Sequence, residues 1–151
     1  SLHRRALNHG LTLLLTLLAP PVMAGDLKQL QLTLQRHGFK VERRSPTKSS
    51  AYGQFNAADK TLLVSPLADA LGISRAVLLH EAVHAAQSCP SGTLSLLGVN
   101  RKTDPAVDSQ IRYILRHHYK QGNIALEEEA FVIQGQPDAE QIIIEALNRR
   151  C

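Results

Sequence analysis

The sequence predicts a small α+β domain, mostly helical, with a short antiparallel hairpin beside one central helix. Three observations predict it. Apolar residues recur three and four apart in several segments, as on amphipathic helices. Two short extended runs flank a turn-forming tetrapeptide. Gly and Pro punctuate the chain between these segments. No internal repeat and no second domain is visible, so residues 25–151 read as one unit.

The elements follow in order. Asp26 to His37 carries Leu27, Leu30, Leu32 and Leu34 and stops at Gly38, which predicts a helix. Phe39 to Arg43 predicts a short strand, and the polar run from Arg43 to Ser50, with Pro46, a loop. Ala51 to Asn56 and Lys60 to Ser65 form the two arms of a hairpin, with Asn56 and Asp59 supplying turn chemistry. Ser74 is placed to cap a helix over Arg75 to Ser88, which Pro90 prevents from continuing. Asp104-Pro105 opens a helix toward Lys120, with Gly122-Asn123 as its break. Ile124 to Gln134 is a further helix, stopped by Gly135, and Pro137 opens a last one toward Asn148.

Composition narrows the function classes. The chain is 44% hydrophobic and 20% charged, which suits a folded domain rather than a disordered one. Aromatics make up 4% and Trp is absent, so the core must be built from Leu, Ile, Val and Ala. A net charge of +4 with no Lys/Arg run longer than two gives no footprint for nucleic acid.

Residues 1–24 have the three-part layout of a secretory signal. Arg4-Arg5 is basic, Leu11 to Leu18 is apolar, and Pro20-Pro21 precedes a small-residue site ending at Ala24. The apolar run falls short of the roughly 20 residues a bilayer span requires. Cleavage after Ala24 is expected, with no membrane span left and an exported location, periplasmic or extracellular. In such a compartment Cys89 and Cys151 are expected to pair, tying the C-terminus to the end of the helix over Arg75 to Ser88.

That helix carries the chemistry. Ala76, Leu79, Val83 and Ala86 form its core stripe. His80 and His84 lie four apart and so share one face, expected to line a cleft. Two imidazoles at this spacing can hold one zinc ion from a single helix. Glu81 sits at their flank, where a carboxylate can accept a proton from water rather than bind the ion. Gln87, one turn past His84, is a candidate for touching substrate or a ligand.

The sequence His80-Glu81-Ala82-Val83-His84 resembles the zincin superfamily of metallopeptidases, most closely over His80 to Gln87. The metzincin branch wants Gly and His where this chain has Gln87 and Pro90. The gluzincin branch takes its third ligand from a Glu on a later helix, often as Glu-x-x-Ala, and Glu127-Glu128-Glu129-Ala130 fits. The resemblance therefore implies His80, His84 and Glu127 as ligands of one zinc, Glu81 as catalytic base, and a peptide or protein substrate. Within the triplet Glu128 comes second to Glu127, and the apolar period does not choose between them. Acidic residues in a first helical turn also suit the helix dipole without any metal, with Asn123 as cap. Their apolar flanks argue that at least one is buried with a partner, and a second Glu could orient a ligand histidine. His117 and His118 are rival ligands, although the C-terminal dipole of their helix explains them better. His118, Tyr113 and Tyr119 are candidates for stabilising an oxyanion. The resemblance also implies that extended substrate pairs with a strand edge, through Gln54 or through Leu62–Val64. The alternative is a zinc-binding envelope or interaction module without catalysis.

Overall fold

The computed structural model describes residues 24–48, 51–119 and 123–151. The expected signal segment and the expected helix end at Lys120-Gly122 lie outside the described residues. The described residues form a helix-rich α+β domain with a small three-stranded sheet, as the sequence predicts. The order is α1 (Ala24–Arg36), β1 (Lys40–Arg43), β2 (Gly53–Asn56), β3 (Thr61–Val64), α2 (Pro66–Ala70), α3 (Ser74–Gln87), α4 (Pro105–His118), α5 (Ile124–Gln134) and α6 (Ala139–Arg150).

The sheet departs from the expectation of a purely antiparallel hairpin. Its order is β1-β3-β2. β2 and β3 form the hairpin, with Gly53 opposite Val64 and Asn56 opposite Thr61. β1 adds to the other side of β3 in parallel, with Lys40 beside Thr61 and Arg43 beside Val64. The hairpin returns β3 to the middle of the sheet, so β1 finds its partner across the chain rather than in sequence. This explains why Thr61–Val64 is buried throughout while β1 and β2 are only half-buried. A central strand has no polar face, and its residues do not alternate.

Helix starts differ in instructive ways. α2 has no counterpart among the expected elements, yet its signals are present: Ser65 Oγ accepts from the Leu67 N–H at 3.2 Å, and Pro66 takes the first position. α3 begins at Ser74 itself, and no side chain caps it. Gly72, at φ +71°, turns the chain, and Ile73 is driven into the core, displacing Ser74 from the cap position. Asp104 caps α4 as predicted, accepting from the Ala106 N–H at 2.8 Å. Asn123 makes no side-chain cap bond, and the last helix starts at Ala139 rather than Pro137 and runs on to Arg150.

α3 occupies the centre. Every residue from Ala76 to Gln87 is buried, so the helix is enclosed on all sides rather than along the one expected stripe. The sheet covers one side of it, and α5 and α6 pack against others. Leu79 and Val83 meet Leu62, Val64, Ile133 and Ile143 in the main core. α1 closes the far side of α6 with Leu30 and Leu34. α4 attaches to α5 through a smaller cluster of Val107, Ile111, Ile114, Leu115 and Phe131. Cys89 and Cys151 form the expected disulfide, with Cα atoms 5.2 Å apart. Among the described residues, no helix is long and apolar enough to cross a membrane.

Candidate metal centre

His80 and His84 project from α3 one turn apart, and their rings stand nearly perpendicular with centroids 4.9 Å apart. Glu127, from the first turn of α5, reaches both. Its Oε2 lies 3.0 Å from His80 Nε2, and its Oε1 lies 3.0 Å from His84 Nε2. One ligand atom from each residue falls within 4.8 Å of the others. Among the described residues this is the one group of His, Cys, Asp and Glu close enough to hold an ion.

The free ring nitrogens show what the site is shaped for. His84 Nδ1 lies 2.7 Å from Gln87 Oε1. Gln87 has no freedom to turn its amide around, because its Nε2 donates to Leu126 O at 3.1 Å and to Glu129 Oε1 at 2.9 Å. An amide oxygen only accepts, so His84 Nδ1 carries the hydrogen. His80 Nδ1 lies 2.6 Å from Gln134 Oε1 and donates in the same sense. With both Nδ1 atoms committed, the two Nε2 atoms are the ones that converge on the Glu127 carboxylate. Two neutral imidazoles and one carboxylate suit a borderline dication such as zinc, with an open position for a fourth ligand. The residues present therefore fit the metal that the motif implies.

Electrostatics agree with that donor set. Burial alone would raise the Glu127 carboxyl, but hydrogen bonds from both imidazoles outweigh it and hold the group well below the usual carboxylate range. Burial would lower His84, yet its bond to Glu127 and the charges of Glu81 and Glu127 push it up to about 9. In the metal-free protein the protons between these groups occupy the place a cation would take.

Glu81 lies next along α3 and keeps only 7% of its surface exposed. Burial raises its pKa, the two imidazoles oppose that, and Glu127 adds to it. It forms an ion pair with neither imidazole, unlike Glu127. β2 passes close by. A Cβ built on Gly53 would stand 3.1 Å from Glu81 Cγ and 2.4 Å from Val77 Cγ1, so only glycine lets the strand approach the motif helix this closely.

The structure gathers His80, Glu81, His84, Gln87 and Glu127 and leaves Glu128, His117, His118 and Tyr113 outside. Glu128 is exposed, because one residue along a helix turns a side chain about 100° away from Glu127. His118 is exposed at the end of α4, past Leu115, where the buried contact with α5 ends. Tyr113 is also exposed and stacks on His117. Tyr119 does come near. Its ring packs against Phe131, burial raises its phenol pKa, and the charges of Glu127 and Glu81 raise it further.

Two contributors escaped the sequence reading, and a third, Glu129, stood undistinguished within the acidic triplet. Gln134 lies seven residues after Glu127, two turns along the same helix face, a spacing that could have flagged it. Phe131, on that face between them, sets its ring against His80 with centroids 4.6 Å apart. Glu129 is buried and accepts from Gln87 Nε2, from the Leu97 N–H at 2.8 Å and from the Gly98 N–H at 3.0 Å. Nothing in the period of α5 distinguishes it, because its partners are backbone groups of a distant loop. Compared with known proteins, the chain matches no family, no curated protein and no solved structure.

Proposed function

We propose that the chain is an exported zinc-dependent metallopeptidase. His80, His84 and Glu127 hold the ion and Glu81 serves as the catalytic base. The observation that carries this reading is the convergence of both Nε2 atoms on the Glu127 carboxylate while both Nδ1 atoms donate to glutamine oxygens. A site of this composition has the donors of a catalytic zinc centre, in which three protein ligands leave one position open. Zinc bound there supplies a Lewis acid that polarises a carbonyl and makes water more acidic.

The chain's own residues perform the proton work. Glu81 is held beside the ligands without being one of them, and burial raises its affinity for a proton. It takes a proton from the attacking water and passes it to the leaving amine nitrogen. Tyr119, whose ring packs against Phe131, is the group assigned to steady negative charge that develops on the substrate carbonyl. β3 is bonded on both sides, so Leu62–Val64 has no free edge for substrate. β2 is an edge strand and packs against Glu81 through Gly53, so an extended peptide adding to Gly53–Asn56 runs past the base. Export is supported by the Cys89–Cys151 disulfide, which persists in oxidising compartments.

The test is a matched pair of proteins. Glu81→Gln is expected to retain one zinc per chain and to lose peptide cleavage by at least 100-fold. Undiminished cleavage, or loss of the metal in that variant, would contradict the role of Glu81. Zinc retention with no cleavage by the unaltered protein of any peptide in a library would favour a binding module instead.

A further inference from the structure

The zinc reading leaves open what fixes His84. His80 is oriented by Gln134, which stands on the same helix as Glu127. The partner of His84 is Gln87, on its own helix, and Gln87 has two amide faces of similar shape. If that amide turned over, its NH2 would face His84 Nδ1, and the ring would have to place its hydrogen on Nε2, where the ligand lone pair is needed. Resting on the proposed zinc site, we infer that Glu129 is a positioning residue for His84 that acts through Gln87. Its Oε1 accepts from Gln87 Nε2 and, together with Leu126 O, leaves only Gln87 Oε1 to face the imidazole.

Glu129 is itself fixed. The Leu97 and Gly98 N–H groups donate to its two oxygens. The loop bearing them is held from the other direction, because the Arg150 guanidinium donates to Leu96 O at 3.0 Å, to Ser95 Oγ at 2.6 Å and to Cys89 O at 2.9 Å. The order of support therefore runs from the loop to Glu129, then to Gln87, and then to the ring of His84. All three ligands depend on α5: Glu127 directly, His80 through Gln134 and His84 through Glu129.

A double-mutant cycle in zinc affinity tests this, with zinc alone as the probe and chelator competition as the readout. Glu129→Gln keeps the shape of the side chain, and Gln87→Met keeps its length while removing the amide. Gln87→Met is expected to weaken zinc binding by 10–100-fold, the range for partners that orient metal ligands. Glu129→Gln is expected to weaken it about tenfold, and the double variant no more than Gln87→Met alone. Losses that multiply in the double variant would overturn the inference, as would a Glu129→Gln protein with a lower Tm and unchanged zinc affinity. Glu129→Asp, which withdraws the carboxylate but keeps its charge, gives the same comparison if Glu129→Gln does not fold. A second readout needs no metal. In the zinc-free protein above pH 9, where the His84 ring is neutral, its ring nitrogens, followed by 15N NMR, are expected to show the remaining hydrogen at Nδ1, and to lose that preference in Glu129→Gln. A preference unchanged by that substitution overturns the inference even if the unaltered protein binds no zinc, an outcome that would count against the zinc reading separately.

Discussion

At the scale of single residues, the protons of the metal-free site predict how stability responds to pH. The pKa of His84 rises from 6.5 to about 9 on folding, so its contribution is complete below pH 6.5 and is lost as pH rises through about 9. The Glu81 pKa is also raised, so it too disfavours the metal-free fold as pH rises. The Glu127 pKa is lowered from 4.5, so its contribution is present above that value and is lost in acid. The metal-free protein is therefore expected to have its highest Tm between about pH 4.5 and 6.5. Zinc must displace the His84 proton, so its affinity should rise from pH 6.5 to 9, with proton release on binding. Thermal scans with and without zinc across this range check both statements. A gap between the two Tm values that narrows as pH rises would contradict them. His80, Glu81 and His84 were legible because four-residue spacing on a helix is a local property. Glu127 needed resemblance to single it out. Glu129 and Gln134 matter through what they touch across the fold, and no local pattern encodes a contact with a loop amide or an imidazole on another helix.

At the scale of elements, the approach of β2 to α3 is the feature most exposed to mutation. Gly53→Ala would set a methyl 2.4 Å from Val77 Cγ1 and 3.2 Å from Leu63 O. Overpacking of this kind costs about 1–3 kcal/mol. It should also push the edge strand away from Glu81, raising KM for extended peptides more than it lowers zinc affinity. Adding Val77→Ala to the variant should recover part of the stability, because Val77 Cγ1 makes the closest contact. Denaturant unfolding of the parent and the two variants checks this, and a Gly53→Ala protein as stable as the parent would refute it. The longer helices were legible at this scale from period, proline and glycine, while the five-residue α2 was not. The parallel addition of β1 to β3 was not, because pairing between strands distant in sequence leaves no trace in either one's residues. The enclosure of α3 was also hidden. Ala82 and Ala85 read as neutral helix formers, yet both are fully buried, because their small size lets neighbouring elements pack closely.

At the scale of the whole molecule, the end of α6 is fastened to the end of the motif helix twice. The Cys89–Cys151 disulfide closes a span of 62 residues, and Arg150 donates to the carbonyls of Cys89 and Leu96. Loop-closure entropy assigns a bridge of this span about 4 kcal/mol as an upper value. Replacing both cysteines by Ser should lower Tm on the order of 10 °C. A shift under 2 °C would show that Arg150 and the packing of α6 suffice. The pairing was legible because two cysteines in an expected oxidising compartment leave one choice. The clamp by Arg150 was not, since a terminal arginine resembles any solvated charge until the loop carbonyls are seen around it.

The central claim is that His80, His84 and Glu127 form one metal site. The most direct test is the zinc content of the purified protein, measured beside His80→Ala and Glu127→Gln after equal exposure to the ion. About one zinc per chain is expected in the parent, with retention falling at least 100-fold in His80→Ala and by a smaller factor in Glu127→Gln. A folded parent that takes up no zinc, or variants that hold it as tightly as the parent, would contradict the claim.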